Sequence, residues 1–173
     1  MTSAKNFSTA GFLRDGRRIE IRAQRPDDQA GLAAAVERAS AQSLFRRFFV
    51  VKRHFSDREV AFFTNVDFVK HVALVAVAEE NGRPVIVGGG RYVVVRPGRA
   101  EIAFAIVDQY QGQGIGTELM RHLVANARAA GLEEFVAEVL PDNAPMLRVL
   151  EKSGLPLSTR PDDDTVNVVL KLR

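Results

Sequence analysis

Residues 18–23 (RIEIRA) alternate charged and apolar side chains, the two-residue period of a strand that buries one face. Pro26, Asp27 and Asp28 follow. A proline in the first turn and acids at the positive end of the helix dipole open a helix that the pattern carries to Ala39. Residues 43–51 (SLFRRFFVV) put Leu44, Phe45, Phe48 and Phe49 on one stripe beside Arg46 and Arg47, which predicts a short helix. Ser56-Asp57-Arg58-Glu59 has capping-box spacing before Val60, Phe62 and Phe63, which predicts a second. Residues 72–78 (VALVAVA) form a continuous apolar run, as in a strand covered on both faces. Asn81-Gly82 is a hairpin turn, 85–95 its returning strand, Arg96-Pro97-Gly98-Arg99 another turn, and 100–107 (AEIAFAIV) the third strand of a meander. Gly88-Gly89-Gly90 inside the second strand implies a bulge or the close backbone approach of a neighbour or ligand.

The period then changes. Leu119, Met120, Leu123, Val124, Ala127 and Ala130 make the stripe of an amphipathic helix that ends at Gly131. A strand is expected over 135–140, a helix over 143–153 closed by Gly154, and a last strand over 166–172, with 160–164 (RPDDD) as a solvated loop.

Composition narrows the class. At 173 residues, 46% hydrophobic and 26% charged, the chain has material for one core, and no apolar run approaches the ~18 residues of a membrane span. Zero cysteines exclude disulfides, thiolate metal sites and a cysteine nucleophile. Residues 1–17 lack the apolar core of a secretory signal and are expected to be a flexible segment ahead of a domain over 18–173, with a cytoplasmic location. Residues 1–55 carry 11 Lys/Arg against 5 Asp/Glu, and residues 101–173 carry 7 against 11. The basic residues near Arg46, Arg47, Lys52, Arg53 and His54 lack the dense stripe with aromatics that nucleic acid requires, so neither a nucleic-acid nor a membrane partner is expected. His54 and His71 have no acid at ligand spacing, and His71 is expected to hydrogen-bond at a strand end.

The chemistry concentrates in Gln111-Gly112-Gln113-Gly114-Ile115-Gly116, between an apolar strand and the long helix. Glycines let the backbone turn and approach a ligand, and the helix start offers unpaired N–H groups and positive dipole, which suits a phosphate. A nucleotide P-loop needs a lysine where Gly116-Thr117-Glu118 has none. A dinucleotide fingerprint needs glycine where Thr117 stands; Glu138 lies where a ribose acid would, but the strand before the loop belongs to an antiparallel meander.

Gln-x-x-Gly-x-Gly at such a junction resembles the acetyl-CoA signature of the GNAT superfamily of N-acetyltransferases, and the element order over 19–172 is similar to that fold. The segments SLFRRFF, Val66-Asp67, HVALV, Arg91-Tyr92, Ala100-Glu101 and Val139-Leu140 with Asn143 and Met146 look like the catalytic domain of bacterial Pat-type protein lysine acetyltransferases. In some relatives that domain is joined to a cyclic-nucleotide-binding or acyl-CoA-synthetase-like domain, for which this chain is too short. The resemblance implies an α/β (α+β) GNAT fold: a mixed, mostly antiparallel sheet of six to seven strands, flanked by helices and splayed between the fourth and fifth strands.

The resemblance also implies roles. Backbone N–H groups of Gln111, Gly112, Gln113, Gly114, Ile115 and Gly116, with Thr117 at the helix start, would cradle the CoA pyrophosphate. Phe104, Ala105 and Ile106 would pair with the pantetheine arm as an added strand, and Ile106 would lie near the oxyanion. Asn143 would be a polar contact near the thioester, compatible with a helix cap. Glu101 would be the general base; its strand face with Ala103, Ala105 and Val107 is expected to be desolvated, and the alternative is a cross-sheet pair with Arg91 or Arg99. Leu150 stands where many relatives carry a tyrosine acid, leaving Tyr92 or Tyr110 as substitutes. The implied reaction is acetyl transfer from acetyl-CoA, the cosubstrate, to a protein lysine such as those of acyl-CoA synthetases, by direct attack in a ternary complex. No metal is expected, and the chain would act as a monomer or homodimer. A small-molecule amine acetyltransferase and a non-catalytic acyl-CoA sensor are the rival readings.

Overall fold

A computed structural model describes residues 6–38, 66–141, 144–162 and 164–172. The short helices expected over 43–51 and after Ser56, with His54, lie outside the described residues, as does Asn143.

The described strands are β1 (Ser8–Phe12), β2 (Arg18–Ala23), β3 (His71–Glu80), β4 (Arg83–Arg96), β5 (Arg99–Ile106), β6 (Glu134–Val139), β7 (Leu157–Asp162) and β8 (Thr165–Lys171). They form one sheet in the order β1-β2-β3-β4-β5-β6-β8-β7. All neighbours are antiparallel except β5 and β6. The helices are α1 (Gln29–Arg38), α2 (Ile115–Ala129) and α3 (Ala144–Glu151).

Two strands correct the sequence expectation of six to seven. Part of the segment ahead of residue 18, expected to be flexible, pairs with β2 from Ser8↔Arg22 to Phe12↔Arg18. The polar stretch at 160–162 likewise belongs to β7, with Pro161 opposite Val166. Both are edge strands, held by the ladder to their inner neighbour more than by burial, so their exposed residues carry little apolar pattern, and an edge tolerates a proline.

Register fixes two faces. Leu74, Ala76, Val87, Tyr92 and Ile102 pack into one core with Leu119, Met120, Leu123, Val124 and Ala127, the predicted stripe of α2. On the opposite face, Val75, Val77 and Ile86 pack against Leu32 and Ala35 of α1. The start of α1 is fixed by Asp28, whose carboxylate accepts from both Arg22 guanidinium nitrogens at 2.8 and 2.9 Å and from the Arg25 N–H at 2.7 Å. Burial pushes the Asp28 carboxyl up, but the Arg22 and Arg25 hydrogen bonds outweigh it and hold it below its ordinary value.

The glycine run of β4 sets how closely the layers meet. A Cβ on Gly90 would stand 2.7 Å from Phe104 Cδ1 and 3.1 Å from Leu123 Cδ1, and one on Gly88 would stand 2.8 Å from Ile106 Cδ1. The expected close approach is thus made by β5 and α2, and the register also slips at Ala76/Val77.

Candidate functional site

The β5–β6 ladder has three rungs, Arg99↔Glu134, Ala100↔Phe135 and Glu101↔Val136, and then the strands part. This is the expected splay, and among the described residues it leaves one edge of β5 beyond Glu101 without a strand partner. The Val107 N–H donates to Val87 O of β4 at 2.8 Å, while Gly98 O accepts from Glu134 N on the β6 side at 3.1 Å. Because backbone polar groups alternate along a strand, those of Phe104 and Ile106 face the opening and those of Ala105 face β4. Of the three residues expected to pair with the pantetheine arm, Phe104 and Ile106 therefore present the hydrogen-bonding groups. The Ile106 carbonyl also accepts from Gln111 Nε2 at 3.3 Å, so the Gln111 side chain folds back over the end of the opening.

After β5 a 3₁₀ turn, Asp108–Tyr110, delivers the chain to the loop. Gly112 and Gly114 have φ of +76° and +94°, with open space where a Cβ would stand, so glycine is required there for conformation rather than for room. Gly114 is the N-cap of α2, and Glu118 N–H donates to its carbonyl at 3.1 Å as the helix begins. Among the described residues, the N–H groups of 112–117 donate to no protein acceptor. Ile115, 1% exposed, pins this helix start into the core, and Thr117 is exposed. Gly116 serves packing as well: its Cβ would stand 3.0 Å from Val149 Cγ2 of α3.

Glu101 stands on the last rung before the strands part, with its side chain exposed. This corrects the desolvation expected there. Period two does put Ala103 and Ala105 on the same face, but they are half-buried and exposed, and Val107 is buried only past the strand end. The neighbouring arginines are engaged elsewhere. Arg91 meets His71 Nε2 at 3.0 Å and donates to Gln24 Oε1 at 3.1 Å, and Arg99 pairs with Glu134, which also takes Lys171 Nζ at 2.7 Å. Among the described residues no salt bridge joins Glu101 to Arg91 or Arg99. His71 is the strand-end residue expected, its N–H donating to Asp67 Oδ1 at 2.9 Å. Three backbone N–H groups, those of Val69, His71 and Lys70, hold the Asp67 carboxyl below its ordinary value.

Neither tyrosine is brought to this opening as a free acid. Tyr92 is 1% exposed beneath α2, its hydroxyl donates to Asn126, and burial pushes it up to about 12. Tyr110 is buried, raised by burial and by its 2.6 Å hydrogen bond to Glu80, which Arg38 also holds at 3.0 Å. Leu150 is fully buried in α3.

One contact escaped the sequence reading. The turn between β1 and β2 reaches the loop, the Arg14 N–H donating to Gln113 O and the Asp15 N–H to Gln113 Oε1, both at 3.2 Å. Asp15-Gly16 between two short strands is the turn dipeptide that could have marked this hairpin.

The acetyltransferase (GNAT) family model matches residues 38–155. The chain is 31% identical over 146 residues to the protein named Acetyltransferase Pat of Mycolicibacterium smegmatis, covering 82% of this chain and 42% of the relative. It is 30% identical over 154 residues to Acetyltransferase PA5475 of Pseudomonas aeruginosa, covering 88% of this chain and 83% of the relative. The solved structure of the GNAT domain of S. lividans PAT superposes with a TM-score of 0.85 at 31% identity, covering 95% of this chain and 96% of that one. The chain thus spans less than half of the mycobacterial relative and nearly all of the isolated domain.

Proposed function

The chain belongs to the acetyltransferase (GNAT) family, and from that premise we propose that it moves an acetyl group from acetyl-CoA to the side-chain amine of a protein lysine, by direct attack in a ternary complex. The observation that carries the donor half is the row of N–H groups over 112–117, which find no acceptor among the described residues and stand at a helix start beside an open strand edge. Two phosphates in that cradle would lay the pantetheine arm along Phe104 and Ile106 and bring the thioester toward Glu101.

The lysine ammonium, with a reference pKa of ~10.4, must shed a proton before it can attack. Glu101 takes that proton, directly or through water, and its exposed position lets an acceptor reach it from outside the protein. The amine nitrogen then bonds to the thioester carbon, and the oxyanion meets an N–H on the open edge near Ile106. As the intermediate collapses, the nitrogen gives up its second proton to solvent, the C–S bond breaks and the pair leaves on sulfur. A thiol of pKa ~8.5 is a fair leaving group, which fits a site with an aliphatic residue at Leu150 and both tyrosines engaged.

The protein acceptor is supported by the likeness to Pat catalytic domains and by the uncovered face around Glu101. The test incubates the protein with acetyl-CoA and an acyl-CoA synthetase, follows thiol release, and maps acetylated lysines by mass spectrometry. Specific lysine modification, lost in Glu101→Gln, is expected. Turnover of free amines with no protein lysine modified overturns the acceptor, and acetyl-CoA binding without thiol release overturns catalysis.

A further inference from the structure

We infer that the turn between β1 and β2 is a positioning element of the donor site: by holding Gln113 it fixes the peptide that aims the Gly114 N–H at the diphosphate. The inference rests on the reading of residues 112–117 as the diphosphate cradle.

In a trans peptide the carbonyl and the N–H point to opposite sides of the chain. The Gln113 carbonyl accepts from the Arg14 N–H at 3.2 Å, so the N–H of the same peptide, that of Gly114, is directed away from the turn. That plane lies between Gln113 and Gly114, and Gly114, at φ of +94°, has a glycine's backbone freedom, so the tie selects an orientation that the chain alone leaves open. The Gln113 side chain adds a second tie by accepting from the Asp15 N–H.

An anchor must itself be rigid, and this one is held at several points. Leu13 is 3% exposed in the core, its N–H donates to Arg17 O at 2.8 Å, and Gly16 N–H closes the turn on Leu13 O at 2.9 Å. Gly16 has φ of +90°, the left-handed residue that follows the turn in a bulged hairpin. The Asp15 carboxylate accepts from the Arg17 backbone N–H at 3.0 Å and from Arg17 Nε at 2.8 Å. The Arg17 guanidinium lies 4.8 Å from the centre of the Tyr110 ring, in the 3₁₀ turn that leads into the loop. The loop is thus fixed at both ends to one assembly: Tyr110 on the strand side, Gln113 on the helix side.

The experiment compares two donors, acetyl-CoA and S-acetylpantetheine, which carries the same thioester without the diphosphate. Arg14→Pro removes the anchoring N–H at the second position of a β-turn, where proline is favoured, while Arg14→Ala keeps that N–H and removes only the guanidinium. Gln113→Leu removes the side-chain acceptor. The proline and leucine variants are expected to raise KM for acetyl-CoA about 3- to 10-fold each, the scale of one hydrogen bond. Any loss with S-acetylpantetheine should be smaller than the loss with acetyl-CoA, and Arg14→Ala should raise KM for acetyl-CoA less than Arg14→Pro. Gln113 is half-buried outside the core, so its variant reports even if the proline variant does not fold. An unchanged acetyl-CoA KM in the variants that fold, or equal losses with both donors, overturns the inference. Gly114→Ala run in parallel separates the two readings: if it weakens acetyl-CoA and the anchor variants do not, only the anchor fails, and if it too has no effect, the cradle reading fails.

Discussion

Glu101 stands opposite Val136 on the last rung that joins β5 to β6. One residue further the strands part, so this carboxylate sits at the apex of the opening while the loop at 112–117 sits at its mouth. On the proposed reading the donor's two ends go to two elements, the diphosphate to the start of α2 and the thioester to the apex, with the open edge of β5 between them.

That arrangement predicts a division of kinetic effects. Glu101→Gln keeps the size of the side chain and removes its basicity, so kcat with a lysine acceptor should fall by about 10²- to 10⁴-fold while the dissociation constant for CoA stays at the parent value. Steady-state kinetics and calorimetry on the same preparation check both. A kcat that is unaltered at neutral pH removes Glu101 from the chemistry.

How far the sequence could be read depends on what holds each element. The α2 stripe and the apolar strand at 72–78 follow from burial, which leaves a periodic trace, and both stand where expected. The glycine run was legible as a close approach, though not which neighbours came near. The edges β1 and β7 were missed because ladder hydrogen bonds leave no such trace in polar side chains. The position of Glu101 on the strand was legible and its exposure was not, since the period tells which residues share a face and nothing about what covers it. The Gln113 anchor joins distant parts of the chain through the backbone N–H groups of Arg14 and Asp15, one to a backbone carbonyl and one to a side-chain amide 98 positions away, and backbone groups are what every sequence possesses.

Gly90 makes the packing argument quantitative. Gly90→Ala places a methyl 2.7 Å from Cδ1 and 2.9 Å from Cε1 of Phe104, a ring that cannot yield by bending as a flexible chain end can. A loss of about 1–3 kcal/mol in urea unfolding is expected, as for overpacking elsewhere. Since Phe104 lies on the edge proposed for the donor, KM for acetyl-CoA should rise as well. A variant as stable as the parent with an unchanged KM would show that the close approach does not constrain that edge.

The Arg22–Asp28 pair predicts how stability responds to acid. Asp28 is lowered in the folded protein from an unfolded value near 3.8, so its contribution is complete above that value and is lost as the pH falls through the folded one. Asp28→Asn leaves the Arg22 guanidinium, one-tenth exposed, without its anionic partner, and removal of one member of a buried pair costs about 3–5 kcal/mol. The variant should therefore melt well below the parent at pH 7, with the gap narrowing as the pH falls below 3.8 and the parent loses the same interaction. Thermal unfolding followed by circular dichroism across that range reads the difference directly. Parallel melting curves, with a gap that does not shrink in acid, would mean that the side chain acts through shape alone and that its charge contributes nothing to anchoring α1.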